Sequence, residues 1–492
     1  MITRRRKENT QGARLVLALL TALCTVGCTG HAKPRALPEP IQVPEAWQAS
    51  ADQESTSPPM SQAELATWWQ QLEDPILDQW IQRTIAGNLD LETALVRVEE
   101  ARARRGLARS ELGPTVSTSW GVGRTESLDD QGFSNDSFSA SLDLAWEADL
   151  FGAKRLSLAA SQADLEAEVE NLHAVQIALI AETVVAYTDL REAEARLRVL
   201  DKSLRSREET AQLVQWREQA GLASRLEANQ ARSSLSQARA GRPANEQLVI
   251  EARLRLNLLA GEVPGALDAV LDPPDSQSAL PLPPESVSVG IPVETLRQRP
   301  DVRRTERQLE AAVARLGAAD AGRYPTLRLT GSLDAQSNEL EELFDVDSIF
   351  ANLLAGLTAP IFESGRIRQN IAVREAQVEQ TALEYRSTVL EALSEVERAL
   401  SFFQTSQERI EALEEAVKSA GEAAELADQR YEAGLVDLLS VLDTQRTLFS
   451  TEEQLVLAQG DLLNAFSNLY RALGGGWDSV PQELDAKGGT NA

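Results

Sequence analysis

The chain has 492 residues, a formal net charge of −27 and a hydrophobic fraction of 43%. It is longer than one ordinary core requires, so two or more domains are expected. The acidic balance leaves no basic footprint for nucleic acid. The only cysteines and histidines are Cys24, Cys28, His31 and His173, which gives a metal site or a Ser-His-Asp triad almost nothing to work with.

Residues 1–27 read as a signal peptide. Arg4, Arg5, Arg6, Lys7 and Arg14 precede a short apolar run, Leu15 to Leu23, too short to span a bilayer. The run ends in TVGC (Thr25–Cys28), which resembles a lipobox, with small Gly27 before a Cys28 that would carry lipid. Residues 28–60 then form a Pro-rich tether. Once the leader is removed, no internal disulfide is possible. His173 falls in a helical stretch, where a surface or packing role is expected.

Two long blocks follow, and they are copies. DLETALVRVEEARARRGLARSELGPT (90–115) aligns without gap on DVRRTERQLEAAVARLGAADAGRYPT (301–326), an offset of 211. Beyond Phe151 and Phe362 the offset becomes 213 and pairs REQAGL (217–222) with RYEAGL (430–435). Such a sustained register means internal duplication. The first repeat covers 61–262 and the second 293–474, with a Pro-rich linker at 263–292 and a Gly-rich flexible tail at 475–492.

Each copy carries the same program. A helix (Leu89–Leu112, Val302–Gly322) ends at a proline. A β-hairpin follows, at 115–150 and 326–361. In SFSASLDLAWEADL (137–150), Phe138, Leu142, Leu144 and Trp146 alternate with Asp143, Glu147 and Asp149. In the second copy Leu327 and Leu329 alternate with Arg328 and Asp334, and Phe350 and Leu354 blur the polar face of the last strand. Long helical runs come next, Lys154–Gln219 and Arg366–Ala433. Leu158, Leu165, Leu172, Leu179, Ala186, Ala193 and Leu200 recur every seven residues there, as do Ile371, Val378, Tyr385, Ala392 and Ala399. Some 65 helical residues reach roughly 100 Å. Gly221 and Gly434 are the turns before helices that return to Gly261 and Gly474.

Four strands with one apolar face cannot close, and an open edge in lipid leaves backbone groups unpaired. Three chains would supply a twelve-stranded barrel wide enough for a lumen. Phe138, Leu142, Leu144, Trp146, Leu327 and Leu329 would then face lipid. Asp143, Glu147, Asp149, Arg328 and Asp334 would face water. The reading is a mixed α and β membrane protein, a homotrimer whose barrel continues into a long α-helical coiled-coil barrel. Two rivals stay open on the residues alone: a periplasmic coiled-coil scaffold lipoprotein without a pore, and an envelope hydrolase using paired carboxylates.

The motifs WWQQLEDPILDQWI (68–81), AWEADLFG (145–152), IPVETLRQRPDVRRTE (291–306), GLTAPIFESGRI (356–367), RYEAGLVDLLSVLDTQRTLF (430–449) and LYRALGGGW (469–477) resemble the TolC/OprM-type outer membrane factors. The likeness is nearer to the NodT-type lipoprotein branch. It implies a lipid-anchored outer membrane trimer extending into the periplasm. It also implies the exit duct of a tripartite exporter, with a periplasmic adaptor, an inner-membrane pump of RND type, no cofactor and no catalysis. The resemblance places Asp443 at an acidic ring of the periplasmic gate, Ser440 where some members carry a second Asp, and Arg430 and Tyr431 at tip contacts. It leaves RPDVR structural, with Pro300 starting a helix and Asp301 as cap or first-turn anion.

Overall fold

The computed structural model describes residues 41–48, 61–126, 134–266, 280–284, 286–287 and 290–477. The leader, Cys28 and the tail beyond Trp477 lie outside the described residues.

A short helix α1 (Gln62–Ala66) and a 3-10 turn (Trp68–Leu72) precede α2 (Pro75–Gly87) and α3 (Leu89–Ser110). Asp74 and Asn88 cap α2 and α3 by accepting from first-turn amides. Then come β1 (Thr115–Glu126), β2 (Ser134–Ala148), α4 (Ala153–Gln219) and α5 (Arg225–Leu259). The second copy runs α6 (Pro292–Gln298), α7 (Pro300–Ala321), β3 (Thr326–Ser337), β4 (Ile349–Thr358), α8 (Arg366–Glu432) and α9 (Leu438–Ala472). The duplication is written in the lengths. α3 and α7 have 22 residues each, β1 and β3 have 12, α4 and α8 have 67, and α5 and α9 have 35. The second strands differ, at 15 and 10 residues, as do α2 and α6, at 13 and 7.

The strands form one antiparallel sheet in the order β1-β2-β3-β4, and no strand among the described residues pairs with the outer edge of β1 or β4. Below the sheet, α4 packs between α3 and α7, and α8 lies beyond α7. Farther from the sheet, α4 packs on α5 and α9, and α9 packs on α8. The chain is therefore one wall, with β1, α3 and α5 along one flank and β4 and α8 along the other.

The heptad row of α4 is the seam of this wall: Leu165, Leu172, Leu179, Ala186, Ala193 and Leu200 are all buried. The main core sits midway, where α2, α3, α4 and α9 meet. Trp68 stacks on Tyr470 at 5.2 Å and meets Phe466 edge-on at 5.6 Å. One 18-residue window of α4 is apolar enough to cross a membrane, and 56% of it is buried inside the fold. Its apolarity is accounted for by this core.

Two segments expected to be loose are packed. In the tether, Trp47 is buried and donates from Nε1 to the Gly290 carbonyl at 2.7 Å. At the start of the tail, Gly475 and Gly476 thread past Leu65 and Trp68, and Trp477 stacks on His173 at 4.3 Å. A side chain at 475 would come within about 3 Å of Leu65 and Trp68, so the glycines provide passage here. His173 has the packing role, and its Nδ1 lies 3.3 Å from Glu170.

Candidate channel wall and tip

Strand register sorts the sheet into two faces. Val116, Trp120 and Val122 stand opposite Leu144, Ala140 and Phe138. Leu142, Leu144 and Trp146 stand opposite Leu333, Gly331 and Leu329, and Ala148 opposite Leu327. Leu353, Ala355 and Leu357 complete the row on β4. Directly paired residues share a face, so one side of the sheet is apolar across all four strands, broken by Thr118 and giving way to the Arg124–Asp136 pair at the far end of β1 and β2.

The other side carries hydroxyls and charges. Ser119 Oγ and Ser141 Oγ are 2.8 Å apart, and Ser141 donates to Asp143 at 2.7 Å. Glu147 stands opposite Arg328. Ser332 donates to Asp334 at 2.6 Å, and Asn352 reaches the same carboxylate at 3.3 Å. Phe350 and Leu354 fall on this face, paired with Asp334 and Thr330.

Asp149 departs from the expectation. β2 ends at Ala148, so Asp149 is not on the strand's polar face. It sits at the junction and accepts from the Lys154 amide at 3.2 Å and from the Arg155 amide and Nε at 3.0 Å. A carboxylate in front of a helix start satisfies amides that have no intrahelical partner. Alternation cannot reveal where a strand stops, and the Gly152 turn stops this one.

At the far end, the two helical hairpins turn in the same way. Gly221 has φ +78° and Gly434 φ +72°, and nothing lies within 4 Å of an added Cβ at either, so conformation rather than space demands glycine. Leu222 N donates to Arg217 O at 2.7 Å, and Leu435 N to Arg430 O at 2.8 Å, closing both helix ends. Val214, Ala228, Ala231, Ala427, Tyr431, Leu438 and Val441 form a small apolar cluster behind the turns.

The four residues named from the resemblance separate into two groups. Tyr431 is buried, and its partner is Arg217 of the first repeat. The Arg217 guanidinium lies 4.7 Å from the ring centroid, and its Nη1 donates to the Tyr431 carbonyl at 2.9 Å. Burial pushes the Tyr431 phenol up, against the pull of Arg217. Asp443 and Arg430 are exposed and lie apart from that contact, and Asp443 pairs with Arg446 at 2.5 Å. Ser440 donates to Asp437, the α9 cap, at 2.6 Å. Sequence reasoning overlooked Arg217, although it is the first-repeat counterpart of Arg430.

Midway along the wall, RPDVR resolves into a clamp. Asp301 is a first-turn anion, and Arg299 occupies the cap position. Arg299 is buried. It grips Asp301 with Nε at 3.0 Å and Nη2 at 2.7 Å, Glu395 of α8 at 2.8 Å, and the Ala472 carbonyl at the end of α9 at 2.6 Å. Burial pushes the Asp301 carboxyl up, but the Arg299 fork outweighs it and holds the group below the usual carboxylate range. Three elements of the second repeat are joined at this one side chain.

The sequence matches the family described as Outer membrane efflux protein over residues 80–262 and 291–475. It is 32% identical over 481 residues to the pyoverdine export outer membrane protein OpmQ of Pseudomonas aeruginosa, covering 96% of this chain and 99% of that protein. The fold is similar to the outer-membrane channel OprN, with TM-score 0.82 and 30% identity, covering 90% of this chain and 99% of that one. It is also similar to the open state of the Neisseria gonorrhoeae MtrE outer membrane channel, with TM-score 0.79 and 29% identity, covering 90% and 98%. Two of these relatives are outer-membrane channels and the third is an outer membrane export protein, which removes the poreless scaffold and the hydrolase. The chain belongs to the outer membrane efflux protein family, the TolC/OprM-type passive channels of tripartite export systems.

Proposed function

We propose that three copies close around one axis into a continuous duct for small molecules, a twelve-stranded barrel in the outer membrane above a periplasmic tube of helices. The observation that carries this reading is a sheet with one predominantly apolar face and two edges unpaired among the described residues. Unpaired backbone in hydrocarbon costs several kcal/mol per group, so β1 of one chain must meet β4 of the next. Phe138, Leu142, Leu144, Trp146, Leu327 and Leu329 then meet lipid. Asp143, Glu147, Arg328 and Asp334 line a wet bore. The helices repeat the pattern: Leu383, Leu390 and Phe402 of α8 are bare on one flank, and Leu89 and Val96 of α3 with Leu254 and Leu258 of α5 are bare on the other.

Lipidation at Cys28 fits the same geometry. Ile41 packs against the cluster containing Val389 and Tyr385. Tyr385 is 19 residues from the barrel end of α8, roughly 30 Å away. The 13 residues from Cys28 to Ile41 reach at most about 45 Å, enough to seat an acyl chain in the membrane.

The mechanism is gating. Tyr431, held by Arg217, fixes the two helical hairpins of one chain to each other, and exposed Asp443 and Arg430 are free to meet the neighbouring chains. Contact with a periplasmic adaptor, itself joined to an RND-type pump, shifts the hairpins and dilates the tip. Purified protein in planar bilayers is expected to give discrete conductance steps that Asp443→Ala enlarges. No steps would remove the pore, and unchanged steps in Asp443→Ala would remove Asp443 from the gate.

A further inference from the structure

The connection from β3 to β4 is a built segment. It holds two 3-10 turns, Leu340–Glu342 and Val346–Ser348, and between them Leu343 is 3% exposed. The Phe344 ring meets Trp120 edge-on, with centroids 6.2 Å apart. Trp120 belongs to β1, which is two strands away from β3. It stands on the apolar face, because it pairs with Ala140, which pairs in turn with Ala335. Its neighbour Ser119 takes the opposite face and bonds Ser141.

The connection therefore folds back over the apolar face at the end of the sheet far from the helices. Ala335 is buried in consequence, and Leu333, on the same face nearer the helices, is exposed. The segment keeps large apolar side chains bare: Leu340 is 63% exposed, Phe344 64% and Val346 87%. Carboxylates alternate with them, at Glu339, Glu341, Glu342, Asp345 and Asp347. Apolar bodies bared on a membrane-facing wall are stabilised by sinking to the acyl boundary, and the carboxylates between them stay in water. A loop made to lie over an aqueous mouth has no use for those apolar bodies.

We propose that the β3–β4 connection is a membrane-docking collar, seated on the outer wall of the barrel at the acyl–headgroup boundary of the external leaflet, with lipid as its partner. The proposal rests on the barrel reading and is continuous with it, since Trp120 belongs to the same apolar face as Leu353.

The test uses full-length protein with Cys24→Ser and Cys28→Ser, so that an introduced cysteine is the sole thiol whether or not the leader is removed. Phe344→Cys, Leu353→Cys and Ser139→Cys are each labelled with a fluorophore in phosphatidylethanolamine–phosphatidylglycerol vesicles. Quenching by a nitroxide placed near the lipid carbonyl is compared with quenching by aqueous iodide. The lipid-to-iodide ratio at 344 is expected to exceed that at 139 by about fivefold. A label at 344 that behaves like 139 while 353 meets lipid would overturn the collar and leave the barrel standing. A label at 353 that never meets lipid would overturn both. Independently, Phe344→Ser combined with Val346→Ser is expected to leave conductance unchanged, and a rise would show a plug over the mouth instead.

Discussion

Helices α4 and α8 have the same length, 67 residues, and each starts after a left-handed glycine, Gly152 or Gly365. Yet α4 buries 24 side chains and α8 only 13. The difference comes from place in the wall. α4 has neighbours on both sides, α3 and α7 near the sheet and α5 and α9 toward the tip, whereas α8 is flanked by α7 and α9 on one side only. Duplication supplied two equal helices, and position made one the centre of the chain and the other an edge that no element among the described residues covers on its outer side.

The largest effect should come from matched positions on these two helices. Ile177 and Leu390 are counterparts at the 213-residue offset, but Ile177 is 6% exposed and Leu390 51%. Ile177→Glu places an unpaired carboxylate in the core and is expected to cost roughly 4 kcal/mol or more, seen as loss of folded protein. Leu390→Glu is expected to stay folded, within about 0.5 kcal/mol of the parent, and to lose the trimer. Equal unfolding by both would erase the distinction between centre and edge.

Glu192 sharpens the comparison through pH, since its counterpart on α8 is the neutral Thr405. Glu192 faces Gly460 on α9, and burial pushes its carboxyl up to about 7, with Asp189 and Asp461 adding to the rise and Arg196 opposing it. Between the ordinary carboxylate value and about 7, the fold holds a proton that the unfolded chain releases, so stability falls as pH rises through that window. Glu192→Gln is expected to raise Tm at pH 8 and to lose that gain by pH 5. A gain independent of pH would assign the effect to something other than this ionisation.

A smaller effect separates the two tip arginines. Arg217→Ala removes the link to Tyr431, worth about 1–2 kcal/mol. It is expected to speed amide exchange at the tip even in a Leu390→Glu monomer, whereas Arg430→Ala should do so only in the trimer. The smallest effect should be symmetric: Gly221→Ala and Gly434→Ala each cost about 1 kcal/mol, because both turns need a left-handed residue. Unequal costs would mean that the two turns are not equivalent.

The elements and the two faces of the sheet were legible because alternation and heptads are local patterns that burial imposes on consecutive residues. Offset alone paired α3 with α7 and α4 with α8. What stayed hidden depends on segments far apart in the chain meeting in space. Nothing near His173 announces Trp477, and the alternation that runs through Asp149 does not show that the strand ends one residue earlier and that the helix start needs this carboxylate. Arg299 was hidden behind Pro300 and Asp301 because its partners, Glu395 and Ala472, are supplied by other helices. Arg217 could have been found, since the repeat that pointed to Arg430 also contains it.

The most direct measurement is the mass of the purified full-length protein in mild detergent, by light scattering. Three chain masses are expected, since two free sheet edges and the bare row on α8 must be covered. A stable single chain, 53.6 kDa before loss of the leader, would contradict the closed duct.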